Sequence, residues 1–456
     1  MWDCNGGVYL GYATDRTEGE PPASAPVIQY VGDRHLMSIG PAGSGIAQRL
    51  LQPNVLALKD WSMVVVDPGG ELAALCAAQR DPEMAATIVL NPFGVNGLPS
   101  HGCNPIAALD PASPEFPDDA LDLAEALIRP DGIAPTVAAS AQDLLTALIL
   151  YSRLTRADGG RLPHVRHCLG QPAEAFRALV ERMISAGDGL DWPELSLKAA
   201  RFAAIEPGNR ELNSILSCAL TQTRWLDSRP MQADLGMEPM DFTRLKEQPT
   251  AVFLVLPPRR LGTHAAWLRV VLTGIIQALM RASGAPAGAP TVPVMLLLND
   301  YAALARGGFP AIDGNLARFA GCGIKLWTVW HDLAQVRTLY GDGFESFVGA
   351  SGVLQAFAPQ DMVTAEYLSQ RTGLTAYELE AQSRPVAVNP GTSISQSQAA
   401  TTSYHAVPRM LPQDLRNMQD GFSVIFSHKV RNTIRAYMPL PGTQPARRRS
   451  FLRLHR

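Results

Sequence analysis

The chain has 456 residues, 46% of them hydrophobic, with 39 basic against 42 acidic side chains and 18% charged overall. That length allows two or three compact units, and the composition excludes a disordered polyelectrolyte; 38 Gly and 36 Pro without a periodic repeat exclude a collagen-like chain. Six cysteines, at 4, 76, 103, 168, 218 and 322, show no C-x-x-C and no paired spacing, which excludes a disulfide scaffold or zinc ribbon and suits a reducing compartment.

The opening MWDCNGGVYLGY lacks a basic segment followed by an apolar one, so no secretory leader is expected. HLMSI (35–39), SMVVV (62–66) and ATIVL (86–90) are short, β-rich and closed by turn residues, as strands of a parallel sheet are. From 106 to 245 the period changes. DDALDLAEALI (118–128), AASAQDLLTALILYSRL (138–154), AEAFRALVERMIS (173–185) and ELNSILSCALTQTRWL (211–226) space apolar residues three and four apart, which predicts an all-helical module. Strand-like runs return at TAVFLVL (250–256), TVPVMLLL (291–298), IKLWTVW (324–330) and GVLQAFA (352–358). A long helix is expected over 264–282. Its apolar window, 265–280, is broken by Arg269 and is short for a bilayer. VNPGTSISQSQAATTS (388–403) is polar and low in complexity, so it is expected to be a loop or linker. SVIFS (423–427) and NTIRAYM (432–438) predict a closing hairpin. The domain boundaries that follow are 1–105 and 246–385 for the two parts of the sheet domain, 106–245 for the helical one, 386–405 for a polar linker, 406–446 for the closing strands and 447–456 for a basic tail.

The net charge of −3 hides an asymmetry. After Asp420 there is no acid, while Lys429, Arg431, Arg435, Arg447, Arg448, Arg449, Arg453 and Arg456 give +8, leaving −11 on the first 420 residues. A basic tail on an acidic body points to an anionic partner, nucleic acid or lipid head groups, or to a neighbouring subunit. RRRSFLRLHR has only three apolar residues, so a solvated tail is equally expected.

Directly after the first of the sheet strands comes GPAGSGIA, residues 40–47. A phosphate-binding loop, G-x-x-x-x-G-K-[ST] between a strand and a helix, aims backbone N–H groups at phosphate oxygens; its lysine neutralises charge and its hydroxyl holds Mg²⁺. Gly40, Gly43, Ser44 and Gly45 keep the spacing, but Ile46 replaces the lysine and Ala47 the hydroxyl. The cradle is there without its charge. On its own, such a turn is also what an ordinary strand–helix connection shows.

The rest of the chain adds context: QRLLQPNVLALKDWSMVVVDPGGELAAL (48–75), NPFG (91–94), CNPI (103–106), and VMLLLNDYAALA, GIKLWTVWHDLAQVRTLYG, GVLQAFAPQDMVTAEYLS downstream. In order and spacing these resemble the type IV secretion coupling proteins, the TraG/VirD-type conjugative DNA transfer ATPases. Their pattern runs GPTGSGKG, PNLL, VVVDPKGE, NPL, LLDEFA, GIRLWLIVQDLAQLKRLYG and GVLQAF with ETAEYLS. The likeness covers nearly the whole chain. It implies an α/β, RecA-like P-loop NTPase fold with a parallel-rich sheet flanked by helices, plus an inserted all-α domain for substrate recognition. It also implies a homo-hexamer, or a mixed ring with an active coupling ATPase, working with type IV secretion channel components on a DNA/relaxosome or protein substrate. The matching location is the bacterial cytoplasm or the inner face of the inner membrane, and the family's N-terminal anchor is not matched, so no transmembrane segment of its own is expected.

The departures sit where hydrolysis needs chemistry. By the resemblance, Ile46 stands at the phosphate lysine, Ala47 at the hydroxyl position, Gly69 at the lysine of DPKGE, Asn299 and Asp300 at the magnesium-orienting and water-activating acids, and His331 at a γ-phosphate-sensing glutamine. Each lost electrostatic group costs about 3–4 kcal/mol of transition-state stabilisation. Unless the strand ends there, Asp300 faces away from where Asn299 points. The expectation is a hydrolysis-deficient pseudo-ATPase serving as a binding or scaffolding subunit, with no functional catalytic residue, no metal site, no required cofactor and at most weak ATP/Mg²⁺ binding. An active ATPase with non-standard residues is the enzyme alternative, and a decaying remnant of a mobile element the third. DNA binding, if any, is expected from Arg447, Arg448, Arg449, Arg453 and Arg456.

Other candidates carry less. Asp67 and Glu71 could pair as carboxylates but fit a strand end and a helix start better. His331 and Asp332, as neighbours on a strand, face opposite ways. Trp327 and Trp330 read as core. His164, His167 and Cys168 are close in sequence with no fourth ligand, on an expected loop, and His35, His101 and His264 show no ligand spacing.

Overall fold

The computed structural model describes residues 6–22, 24–79, 86–130, 132–206, 208–283, 292–306, 308–383, 399–441 and 451–454. Its strands are β1 (Val8–Ala13), β2 (Val27–Tyr30), β3 (His35–Ile39), β4 (Ser62–Val66), β5 (Ala86–Leu90), β6 (Thr250–Leu254), β7 (Val294–Leu298), β8 (Ile324–Trp330), β9 (Ser351–Ala356), β10 (Leu374–Ser383), β11 (Ala399–Pro408), β12 (Phe422–Ser427), β13 (Ile434–Tyr437) and β14 (Phe451–Leu454). Twelve join one sheet in the order β14-β2-β1-β13-β12-β9-β3-β8-β7-β4-β6-β5. From β9 to β5 every pairing is parallel. From β9 outward through β12, β13, β1 and β2 the pairings are antiparallel.

Parallel strands covered on both faces read as unbroken apolar runs, which is why SMVVV and VMLLL carry no alternation and are buried throughout. The alternation is still present in the packing. Met37, Ile39, Val64, Val66, Leu296 and Leu298 face one core, which they share with the helical region. Leu36, Met63, Val65, Phe253, Met295 and Leu297 face the other, with Ile46, Leu50 and Val55. β1 is tied to this second layer by Asn54, fully buried. Its side chain accepts from the Tyr9 N–H (2.8 Å) and donates to the carbonyls of Tyr9 (2.9 Å) and Leu50 (2.8 Å).

Between β5 and β6 the described residues hold helices and turns only, the main helices being Phe116–Leu127, Pro135–Thr155, Leu162–Leu169, Ala173–Gly189, Pro193–Ala203 and Arg210–Gln222. The helix expected over 264–282 runs Pro258–Ala282, six residues further upstream. At 25 residues it is long and apolar enough to cross a membrane, contrary to the shorter sequence window. Here it is a core helix, with Trp267, Leu272 and Ile275 fully buried against the helical region.

Two expectations need correction. The polar stretch taken as a linker supplies β11, which pairs with β10 over ten residue pairs, from Leu374↔Pro408 to Ser383↔Ala399; residues 386–398 lie outside the described ones. β11 reads AATTSYHAVP, with no run of large apolar residues to mark it as a strand. The tail supplies β14, which adds parallel to β2 and buries Leu454. Four residues cannot fold alone, but an existing strand edge offers them a ladder. Arg453 lies on β14, exposed, while Arg447, Arg448, Arg449 and Arg456 lie outside the described residues.

Candidate functional site

β3 ends at Ile39 inside the parallel block, between β8 and β9. The Gly40 N–H donates to the Trp330 carbonyl (2.9 Å) and the Phe357 N–H to the Ile39 carbonyl (2.8 Å), so the loop leaves the sheet from a fixed frame. Gly43 (φ 83°) and Gly45 (φ 79°) take the left-handed turns that curl it back. At Gly40 a Cβ would stand 2.9 Å from both Ile46 Cδ1 and Phe357 Cβ. The same contact locates Ile46: its side chain is folded inward under the loop, 6% exposed, in the core with Leu50 and Phe357. Ser44 and Ala47 are half-buried, and Ala47 opens the helical turns 47–57.

Asn299 follows β7 and His331 follows β8, so the loop, His331 and the Asn299–Asp300 pair lie at the carboxyl ends of three adjacent strands. That edge is where open α/β sheets place ligands. β7 does end at Leu298. Asp300 takes a left-handed conformation (φ 58°, ψ 48°), which turns its carboxylate toward His331, with Oδ1 3.8 Å from Nε2. The His331 N–H donates to Gln335 Oε1 (3.0 Å). Asp332 is not a partner of His331; it caps the helix Leu333–Tyr340 by accepting from the Gln335 N–H (2.8 Å). Ala358, just past β9, is also left-handed (φ 23°). Strained non-glycine residues of this kind cost about 1–3 kcal/mol each and gather at functional edges.

Asp67 ends β4 on the same side and is 2% exposed. Its Oδ2 accepts from the Ala73 N–H (2.8 Å), an N-terminal cap for the helix Glu71–Gln79. Burial pushes the Asp67 carboxyl up to about 6, against its hydrogen bonds to the helix N-terminus. Gly69 (φ 95°) and Gly70 (φ 68°) form the turn between them, a conformation strained for any lysine at 69.

The structure separates the remaining candidates. His164 and Cys168 share one helical face, in a helix where a loop was expected, with Nε2 3.7 Å from Sγ; His164 Nδ1 meets Ser152 Oγ at 3.1 Å. His167 turns to Gln171. Among the described residues no group of three His, Cys, Asp or Glu side chains could hold a metal ion. His35 is buried between strands, its Nδ1 accepting from the Leu326 N–H (3.2 Å) and its Nε2 2.7 Å from the Leu316 carbonyl, and burial holds its pKa down. Trp327 and Trp330 are core, their indole N–H groups on Ser38 and Thr328. Sequence reasoning missed Arg49, the cation beside the loop. Its Cδ and Nε lie 3.0 Å from where a Gly45 Cβ would stand, while its guanidinium donates to the Met438 carbonyl (2.8 Å). Only the fold shows that residue 438 closes over residue 49.

The profile of the family described as Type IV secretory system Conjugative DNA transfer matches residues 4–436. The chain belongs to that family. Conjugal transfer protein TraG of Escherichia coli is 26% identical over 388 residues, covering 81% of this chain and 59% of that protein. Its namesake in Rhizobium radiobacter is 28% identical over 403 residues, 85% of this chain and 59% of the relative. The chain thus spans about three fifths of the curated relatives it matches. Among solved structures, the conjugative coupling protein TrwBdeltaN70 with sulphate aligns at TM-score 0.64 and 14% identity, over 97% of this chain and 98% of that one. TrwB with the non-hydrolysable ATP analogue ADPNP aligns at 0.63 and 16%, over 91% and 88%. At those identities the likeness establishes the fold, which is the RecA-like P-loop fold.

The loop keeps the left-handed glycine turns of a phosphate-binding backbone. Buried Ile46 offers no charge, Ala47 has no side-chain oxygen for a metal, and the Asn299 amide is neutral. These three positions lack the charge and the side-chain oxygen that hold a magnesium nucleotide for hydrolysis, while Asp300 keeps one carboxylate on the rim.

Proposed function

We propose that the chain is a coupling-protein-like component of a bacterial type IV secretion or conjugative DNA transfer system that binds and scaffolds without hydrolysing nucleotide. One observation carries this reading: Ile46 is buried beneath the loop, against Gly40 and Phe357, at the position that needs a cation. Asn299, uncharged on the neighbouring rim, supports it. A phosphate-sized anion can still be met by the loop's backbone, but without charge neutralisation its affinity is low. The subunit acts in a ring, either of its own copies or mixed with an intact ATPase, on the cytoplasmic side of the inner membrane. It presents the helical region to a DNA or protein substrate.

A second reading, an ATPase with unusual residues, is favoured by Asp300, a carboxylate at the rim turned toward His331. One assay separates the two: turnover of Mg·ATP by the full chain, with and without single- and double-stranded DNA. No turnover above background is expected. Turnover that disappears in Asp300→Asn would establish the second reading instead.

A further inference from the structure

One strip of the long helix Pro258–Ala282 is left uncovered by the rest of the described residues. Two cavities of about 270 and 310 Å³ meet along it at Gln277 and Arg281, which line both. The larger is apolar, floored by Leu109, Leu123, Phe242, Val271 and Ala278. The smaller is walled by Glu115, Asp119, Asp122 and Glu125, at and along the helix Phe116–Leu127. Charge on that wall is mostly acidic, with Arg129 just beyond it acting on Glu125 and Arg281 lining both cavities. Between residues 107 and 128 the chain carries Asp110, Glu115, Asp118, Asp119, Asp122 and Glu125 and no lysine or arginine. Arg281 answers one of them, Asp119, at 2.6 Å, and Gln277 donates to Asp122 at 2.7 Å. Burial, with Asp122 beside it, raises the Glu125 pKa.

Gly274 supplies an independent observation. It sits in mid-helix, where glycine costs about 1 kcal/mol relative to alanine. Its φ is unremarkable for a helix, and a Cβ placed there would meet nothing within 4 Å. The packing of the described residues gives no reason for it. It lines the apolar cavity, so the space above it is open to something arriving from outside.

We propose that this groove docks a basic amphipathic helix of a partner protein. Apolar side chains on one face of that helix enter the gap over Gly274 and Phe242, and its cations meet Glu115, Asp122 and Glu125. A helix fits better than an extended peptide although, beside Pro258–Ala282 and Leu123, the apolar cavity is walled by segments outside any α-helix at 103–109 and 239–243. Among the described residues that line the groove no strand edge is offered for backbone pairing, so the incoming segment must satisfy its own N–H and C=O groups. The inference rests on the reading above that the helical region meets a partner and names that partner's chemistry, but it does not depend on what the Gly-rich loop binds.

The test uses the full chain and two synthetic peptides of about four helical turns. One has leucines at i, i+3, i+4 and i+7 with arginines elsewhere; the other has glutamate in place of arginine. Fluorescence anisotropy should show the arginine peptide binding, more weakly as salt rises, and the glutamate peptide not binding. Gly274→Leu fills the gap and should cost about tenfold or more in affinity, while its thermal midpoint stays level or rises because a helix glycine is removed. Asp122→Asn with Glu125→Gln should lower affinity and flatten the salt dependence. Equal binding of the two peptides overturns the proposal. Unchanged affinity in a folded Gly274→Leu also overturns it, since attraction is then only to the acidic body. Displacement of the peptide by duplex DNA would make the groove a nucleic-acid surface and overturn it as well.

Discussion

Replacing Asp67 by asparagine isolates a pH-dependent stability term at the end of β4. The carboxyl is 2% exposed and its folded pKa is about 6, against an ordinary 3.8. The folded state therefore binds this proton more tightly than the unfolded one. Stability from the group is fully present below pH 3.8 and is lost as pH rises through about 6. The displacement, about 2.2 pH units at about 1.36 kcal/mol each, amounts to about 3 kcal/mol. Asparagine keeps an oxygen for the Ala73 N–H and does not titrate, so the variant lacks this slope. Urea unfolding of both proteins at half-unit steps from pH 4.5 to 7.5 gives the stability difference at each pH. Relative to wild type, the variant should gain about 2 kcal/mol across that window. A flat difference, or one running the other way, would show that the carboxylate is solvated or compensated and that burial does not govern it.

Ile46→Lys with Ala47→Thr should raise Mg·ATP affinity measured by titration calorimetry without creating turnover, because Asn299 remains uncharged; hydrolysis by the double variant would refute this. Asn54→Ala leaves the Tyr9 backbone and the Leu50 carbonyl without their side-chain partner and should cost about 3 kcal/mol in denaturant unfolding. A loss under about 1 kcal/mol would mean that solvent or repacking replaces those bonds. Deleting residues 446–456 removes five arginines and β14. It should weaken DNA binding and reduce the salt slope by up to about 4; unchanged affinity and slope would move the DNA contact to the helical region.

How much of this was legible depended on whether the signal was local. Buried parallel strands such as SMVVV and IKLWTVW announce themselves by composition, and the glycine spacing at 40–45 locates the loop. β10, β11 and β14 were hidden for opposite reasons. β11 has no run of large apolar residues to mark it, and β14 is a strand only because β2 presents an edge to it. At the site, sequence placed Gly40, Ile46, Asn299 and His331 on one rim through the family pattern. It could not give the inward turn of Ile46, which depends on Phe357. Nor could it give the left-handed Asp300 that faces His331, since the strand's end is set by its neighbours. Arg49 was invisible because its partner lies 389 residues away.

The strand order also sets a timetable for synthesis. β3, which carries the loop, lies between β8 and β9, and Tyr12 of β1 pairs with Tyr437 of β13. At about 5–20 residues per second, a ribosome needs roughly 20–80 s between those two tyrosines. Until β8 and β9 emerge, β3 has an unpaired edge on each side, and the helical region is finished while the sheet is still half-built. A chain arrested before residue 350 would therefore display a folded helical region beside a sticky, incomplete sheet, and its survival would depend on being shielded rather than on its final stability.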